Sequence, residues 1–205
     1  MASPSASAPV STAAPVSASG ELRFDSGRSS LDLLTTAHPE ERLDSVVRLR
    51  AWLVGSGLVP ADTPLRGAGP AWLAAVRELR DHIEQLVCGE LDGRPAPAAL
   101  ERVNALARCA PPAPCAIRRA DGTLDRALHA DPGCRELLAA VARDAVELLT
   151  DPAARSCLRR CEGDSCPIIY LDTSRGRRRR WCSSEVCGNR ERVARHRRRA
   201  ALART

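Results

Sequence analysis

The chain contains no lysine, so all 31 basic residues are arginine. The preference of guanidinium over ammonium for phosphate therefore cannot be read from any single position. Aromatic residues are scarce as well: three Trp, one Tyr and one Phe. A core must then be assembled from Ala, Leu and Val, and small apolar side chains with few β-branched runs favour helices. No stretch approaches the roughly 18 apolar residues of a membrane span, which excludes a spanning helix. Residues 1–20, MASPSASAPVSTAAPVSASG, lack the basic and apolar regions of a secretion signal. They are expected to be a disordered Ser/Ala/Pro leader. His38, His82 and His129 have no Cys or carboxylate at ligand spacing, and neither a Ser/His/Asp set nor a Gly-rich phosphate loop stands out. The expectation is a protein that is not an enzyme.

What is present is unevenly distributed. Residues 155–205 hold 15 Arg against five acidic residues, about +10, which leaves about −4 on residues 1–154. A mildly acidic body thus carries a strongly basic tail, and such a block has either a polyanionic partner or a solvated, disordered existence. With 205 residues the chain has room for one well-buried domain and a small appended module.

The body reads as helical from residue 21 to 150. After a short apolar entry at 21–36, Leu43, Val46, Val47, Leu49 and Leu53 recur at helical spacing up to a stop at Gly55/Gly57. Pro70 opens a second helix with a stripe of Trp72, Val76, Leu79, Ile83, Leu86 and Val87, and Gly89 is the expected stop. A third helix is expected over 96–108 with Leu100, Val103 and Leu106 inward, and a fourth over 133–150 with Leu137, Leu138, Val141, Ala145, Leu148 and Leu149 inward. Between them Asp121-Gly122 predicts a β-hairpin with a two-residue turn.

The chemistry lies in the cysteines. Cys161-x4-Cys166 and Cys182-x4-Cys187 are two equal pairs fifteen residues apart, the spacing of a structural zinc site. The rival, a disulfide framework, is disfavoured by an odd count of nine cysteines and a large non-cysteine body. Four thiolates close the coordination sphere, so one structural Zn2+ is expected to hold the fold and not to activate water. Cys157, four residues before Cys161, and His196 are substitute ligands to consider. Residues 155–205 form too small a module for a normal core, and metal binding would supply about 10 kcal/mol or more of folding free energy.

Tyr170 and Trp181 are expected to cover the cluster. A basic helix is expected to begin around Cys187, capped by Ser183 or Ser184 with Glu185 in its first turn. Gly188 and Asn189 are poor helix formers there, so Gly188 is read as allowing a close approach and Asn189 as hydrogen-bonding a loop group. Arg190, Arg192, Arg195, Arg197, Arg198 and Arg199 then surround the helix, while Arg175, Arg177, Arg178, Arg179 and Arg180 reach the adjacent edge. The metal would turn a self-repelling run into an oriented phosphate-binding face.

Residues 159–199, through Cys161, Cys166, Asp172, Ser174, Arg175, Trp181, Cys182 and the signature Cys187-Gly188-Asn189-Arg190, resemble the CGNR zinc finger of bacterial proteins. Residues 29–150, notably RLRAWLVGSGLVP, are similar in layout to the ABATE domain that precedes it in that family. Gly176 and Thr35 stand where that family usually has Asn.

The resemblance implies a mainly α fold, with a helical domain and short hairpin followed by a treble-clef-like finger. It implies a stress-response transcription regulator in the cytoplasm, with double-stranded DNA as the partner. RNA or an acidic protein is the alternative partner, and the helical domain is a candidate sensor of an unidentified small molecule. Asp172 and Ser174 are carried over as structural support.

Overall fold

The structure, a computed structural model, describes residues 21–202; the leader expected at 1–20 lies outside the described residues. It is mainly α. Helices α1 (Ser29–Leu34), α2 (Val46–Gly55), α3 (Pro70–Asp92), α4 (Pro97–Ala107), α5 (Cys134–Thr150), α6 (Pro152–Arg155) and α7 (Cys187–Leu202) are joined by two antiparallel hairpins. Those are β1 (Pro114–Arg118) with β2 (Leu124–Leu128), and β3 (Leu158–Arg160) with β4 (Ile169–Leu171). Among the described residues no helix is long and apolar enough to cross a membrane.

The centre of the body is α1, which the sequence presents only as an apolar entry. Ser30, Leu31, Asp32, Leu33 and Leu34 are all buried, so the helix has no polar face and hence no stripe to detect. It packs against α3, α5 and β4. Ser30 N–H donates to Asp144 at 2.8 Å and Ser26 N–H donates to Asp32 at 2.9 Å, while the buried Ser30 hydroxyl has no partner among the described residues.

α2 is capped by Ser45, whose hydroxyl accepts from Arg48 N–H, and it buries Leu49, Trp52 and Leu53. Val47 departs from the expected stripe at 74 % exposure, because it lies on the side of α2 opposite Leu49, Trp52 and Leu53. α3 runs past the expected stop at Gly89 and ends at Gly93, whose φ of +64° takes the left-handed form of a C-cap. Gly89 serves another purpose: an added Cβ would collide with the Arg94 carbonyl oxygen where the chain folds back. In α4 the inward residues are Ala99 and Val103, with Leu106 half-buried, whereas Leu100 is 48 % exposed, contrary to expectation. In α5, Glu136 accepts from Gly133 N–H at 2.7 Å, closing the first turn.

The β1–β2 hairpin is where the sequence predicts one, with a different turn. Arg118 pairs with Leu124, Arg119 N–H donates to Thr123 and Gly122 N–H donates to Arg119. Gly122 has φ +86° but Asp121 is not left-handed, so this is a type I turn closed by one left-handed glycine and not a two-residue turn.

β3 and β4 pair in the register Leu158↔Leu171, Arg159↔Tyr170, Arg160↔Ile169. Leu158, Ile169 and Leu171 face the main core. Ile168 and Tyr170 join a second cluster with Cys161, Cys182 and Cys187. Arg160 is ion-paired with Asp92 at 2.9 Å and Arg155 with Glu90 at 3.5 Å, adding contacts between this hairpin region and α3.

Candidate metal centre and basic face

The four paired cysteines arrive from separate places: Cys161 after β3, Cys166 before β4, Cys182 in the loop that follows, and Cys187 as the first residue of α7. Their sulfurs all lie within 4.8 Å of one another. Cys166 and Cys182 are 3.8 Å apart and Cys182 and Cys187 3.6 Å. A tetrahedron with Zn–S arms of about 2.3 Å has edges of about 3.8 Å, so the sulfurs have the spacing of a four-cysteine zinc site. These residues can hold one Zn2+.

Backbone geometry makes the cluster compact. Gly163 and Cys182 N–H groups donate to Cys161 Sγ at 3.4 and 3.3 Å. An added Cβ on Gly163 would stand 3.4 Å from both Cys161 Sγ and Cys187 Sγ, so the chain passes directly over the sulfurs. The Cys166 hydrogen bond and the Arg23 guanidinium hold the Cys182 thiol down to about 5, while burial pushes Cys187 up to about 11. The Cys182 hydrogen bond, followed by burial, pushes Cys166 up as well. Four thiols this close cannot all ionise unless a cation sits among them, which is what a divalent metal provides.

Arg23 escaped the sequence reading. It donates to Cys182 Sγ at 3.3 Å and to the Cys182 carbonyl at 3.0 Å while ion-paired with Asp25 at 2.9 Å. Nothing in the local sequence announces it, since 159 positions separate the partners. Hydrogen bonds to ligand sulfurs orient them and offset their charge.

Cys157 and His196 stand outside the cluster. The chain from 158 to 160 is a strand and not a helix, so Cys157 does not share a face with Cys161, and the thiol lies by Ser156. His196 is exposed on α7.

Around the metal centre, Tyr170 is fully buried and donates from its hydroxyl to the Arg179 carbonyl at 2.7 Å. Trp181 is half-buried, and its ring lies 3.5 Å from where a Gly188 Cβ would stand. Ser183 Oγ accepts from Glu185 and Val186 N–H at 3.2 Å, capping the turn that leads into α7. Asn189 is exposed, and its side chain hydrogen-bonds no other described residue. Asp172 organises the arginine loop. Its carboxylate accepts from Ser174 Oγ at 2.6 Å, Ser174 N–H at 3.0 Å and Arg179 N–H at 3.0 Å, and these bonds hold it below the usual carboxylate range.

The arginines divide into two kinds. Arg179 turns inward, against expectation: it donates to the Trp181 and Cys182 carbonyls and stacks 4.4 Å from the Tyr170 ring centre. Arg180 pairs with Glu162 at 2.6 Å beside Trp181, Arg177 donates to Ser156, Arg192 to the Ser184 carbonyl, and Arg198 pairs with Glu191. Arg175, Arg178, Arg190, Arg195, Arg197 and Arg199 are exposed, with no side-chain partner among the described residues.

Two family models match the chain. One, the CGNR zinc finger, covers residues 157–200; the other, ABATE, covers residues 27–152 and is described as "Putative stress-induced transcription regulator". Neither description is that of an enzyme. No curated protein matches. With more than half its length matched by the ABATE model and the four-cysteine cluster inside the finger, the chain belongs to the ABATE family and carries a CGNR zinc finger.

Proposed function

We propose that the protein is a DNA-binding transcription regulator whose metal centre orients a basic face for the phosphate backbone. The observation that carries this reading is a set of six exposed guanidinium groups with no partner among the described residues. Arg175 and Arg178 stand on the loop before Cys182, and Arg190, Arg195, Arg197 and Arg199 on the helix that begins at Cys187. Both segments are anchored by the same four sulfurs, so a bound Zn2+ would hold them in one relative orientation. Asp172, Ser174, Tyr170, Trp181 and Gly188 act as support, and Arg179 and Arg180 belong with them. Arg177, Arg192 and Arg198 can exchange their single surface partners for phosphate. Residues 21–150 would form the signal-receiving body and 155–205 the nucleic-acid module. Nine free cysteines, four of them metal ligands, suit a reducing cytoplasm.

Binding to a labelled DNA duplex, measured by anisotropy across salt concentrations, tests this. Six phosphate contacts give a log–log salt slope of about −5, and Arg195→Gln, Arg197→Gln and Arg199→Gln together bring it to about −3. A slope near zero overturns the reading. Preferential displacement by single-stranded RNA would move the partner to RNA, and tight binding to an acidic protein alone would move it there.

A further inference from the structure

The four sulfurs of the cluster are not equally sheltered. Cys161, Cys182 and Cys187 are buried, whereas Cys166 is only half-buried. Cys166 opens onto a cleft of about 770 Å³ between the N-terminal segment and the finger. Its apolar wall is Leu22, Phe24 and Pro39 from the body and Pro167, Ile168 and Val186 from the finger, and its rim carries charged residues such as Arg42 and Glu185. Cys187 also borders the cleft but is only 3 % exposed, so Cys166 is the more accessible of the two sulfurs that the cleft reaches.

We propose that Cys166 is a modification site for organic hydroperoxides and that Cys182 is its resolving partner. The cleft admits a molecule with an apolar body, and the accessible sulfur has a second sulfur 3.8 Å away. The Cys166 sulfur attacks the distal peroxide oxygen, the O–O bond breaks, and the alcohol leaves with a proton, giving a sulfenic acid. The Cys182 sulfur then attacks the Cys166 sulfur and displaces water. In sum, two thiolates, one hydroperoxide and two protons taken from water become one disulfide, one alcohol and one water; sulfur is oxidised and the peroxide reduced. Arg23, against Cys182, holds the resolving sulfur in place.

The product keeps two free thiols in the cluster, too few to close a tetrahedral site, so Zn2+ leaves and the anchor at the start of α7 goes with it. This inference rests on the metal centre and not on what the basic face binds.

The test treats the full-length, zinc-loaded chain with one equivalent of cumene hydroperoxide. Free thiols are then blocked, cross-linked peptides mapped by mass spectrometry, and released zinc followed with a chromogenic chelator. The expected result is a Cys166–Cys182 disulfide as the first linkage, with one zinc released per chain in step with it. Val186→Trp, which narrows the cleft and leaves all four cysteines in the chain, should slow both by roughly tenfold. First oxidation at Cys161, Cys187 or a cysteine outside the cluster overturns the proposal, as does an unchanged rate in Val186→Trp.

Discussion

Asp32 illustrates at a single residue how the buried helix α1 is tuned. Only 7 % exposed, its carboxyl is raised from 3.8 to about 6, chiefly by burial and against the hydrogen bond from Ser26 N–H. A carboxyl whose folded pKa lies above its unfolded value binds its proton more tightly when folded. Its favourable contribution is complete below about 3.8 and disappears as pH rises through about 6. Asp32→Asn keeps an acceptor for Ser26 and cannot ionise. The stability of the variant relative to wild type should therefore move in its favour by up to about 3 kcal/mol between pH 4 and pH 8. Urea denaturation of both proteins at the two pH values measures this, and a pH-independent difference refutes it. At the same scale, the four cysteine ligands were legible because metal-ligand spacing is local. Arg23 was not, because its partner is brought to it only by tertiary folding.

Among the elements, those with one polar face were readable. α3 and α5 show long apolar stripes, and their buried residues are largely the ones periodicity selects. α1 was hidden by being buried all round, and β3 and β4, three residues each, are too short to alternate visibly. Where a helix stops was less legible than where it runs. Gly89 reads as a terminator but lies inside α3 because the returning chain at Arg94 presses on it, while Gly93 supplies the left-handed cap. That contact reverses the usual effect of a glycine replacement. Helix propensity alone would make Gly89→Ala stabilising by about 1 kcal/mol. The collision with a backbone carbonyl should instead make it destabilising by roughly 2 kcal/mol or more, since backbone cannot rotate away as a side chain does. Chemical denaturation of the variant decides the sign.

For the whole molecule, the main core and the metal cluster are distinct hydrophobic groups that meet at one hairpin. Removing the metal should not melt the protein uniformly. Chelation with EDTA should raise amide exchange over roughly residues 161–202, while α3, α4 and α5, which bury their own apolar faces, stay protected. Hydrogen exchange read by mass spectrometry checks this, and loss of protection in α3 or α5 at the same rate would contradict it. The division between helical body and finger was legible from charge and cysteine placement. The sharing of β3–β4 between them was not, because Leu158, Ile169 and Leu171 belong to the body's core although they lie among the finger's residues in sequence. That sharing bears on how the chain is made. A ribosome releases α1 through α5 first, yet the surface that Leu158, Ile169 and Leu171 cover stays open until the strand ending at Leu171 has emerged. The body is therefore completed by residues made after all of its long helices. The finger, conversely, is not a cassette: cut free and fused to another protein, it would carry three large aliphatic side chains with nothing to cover them.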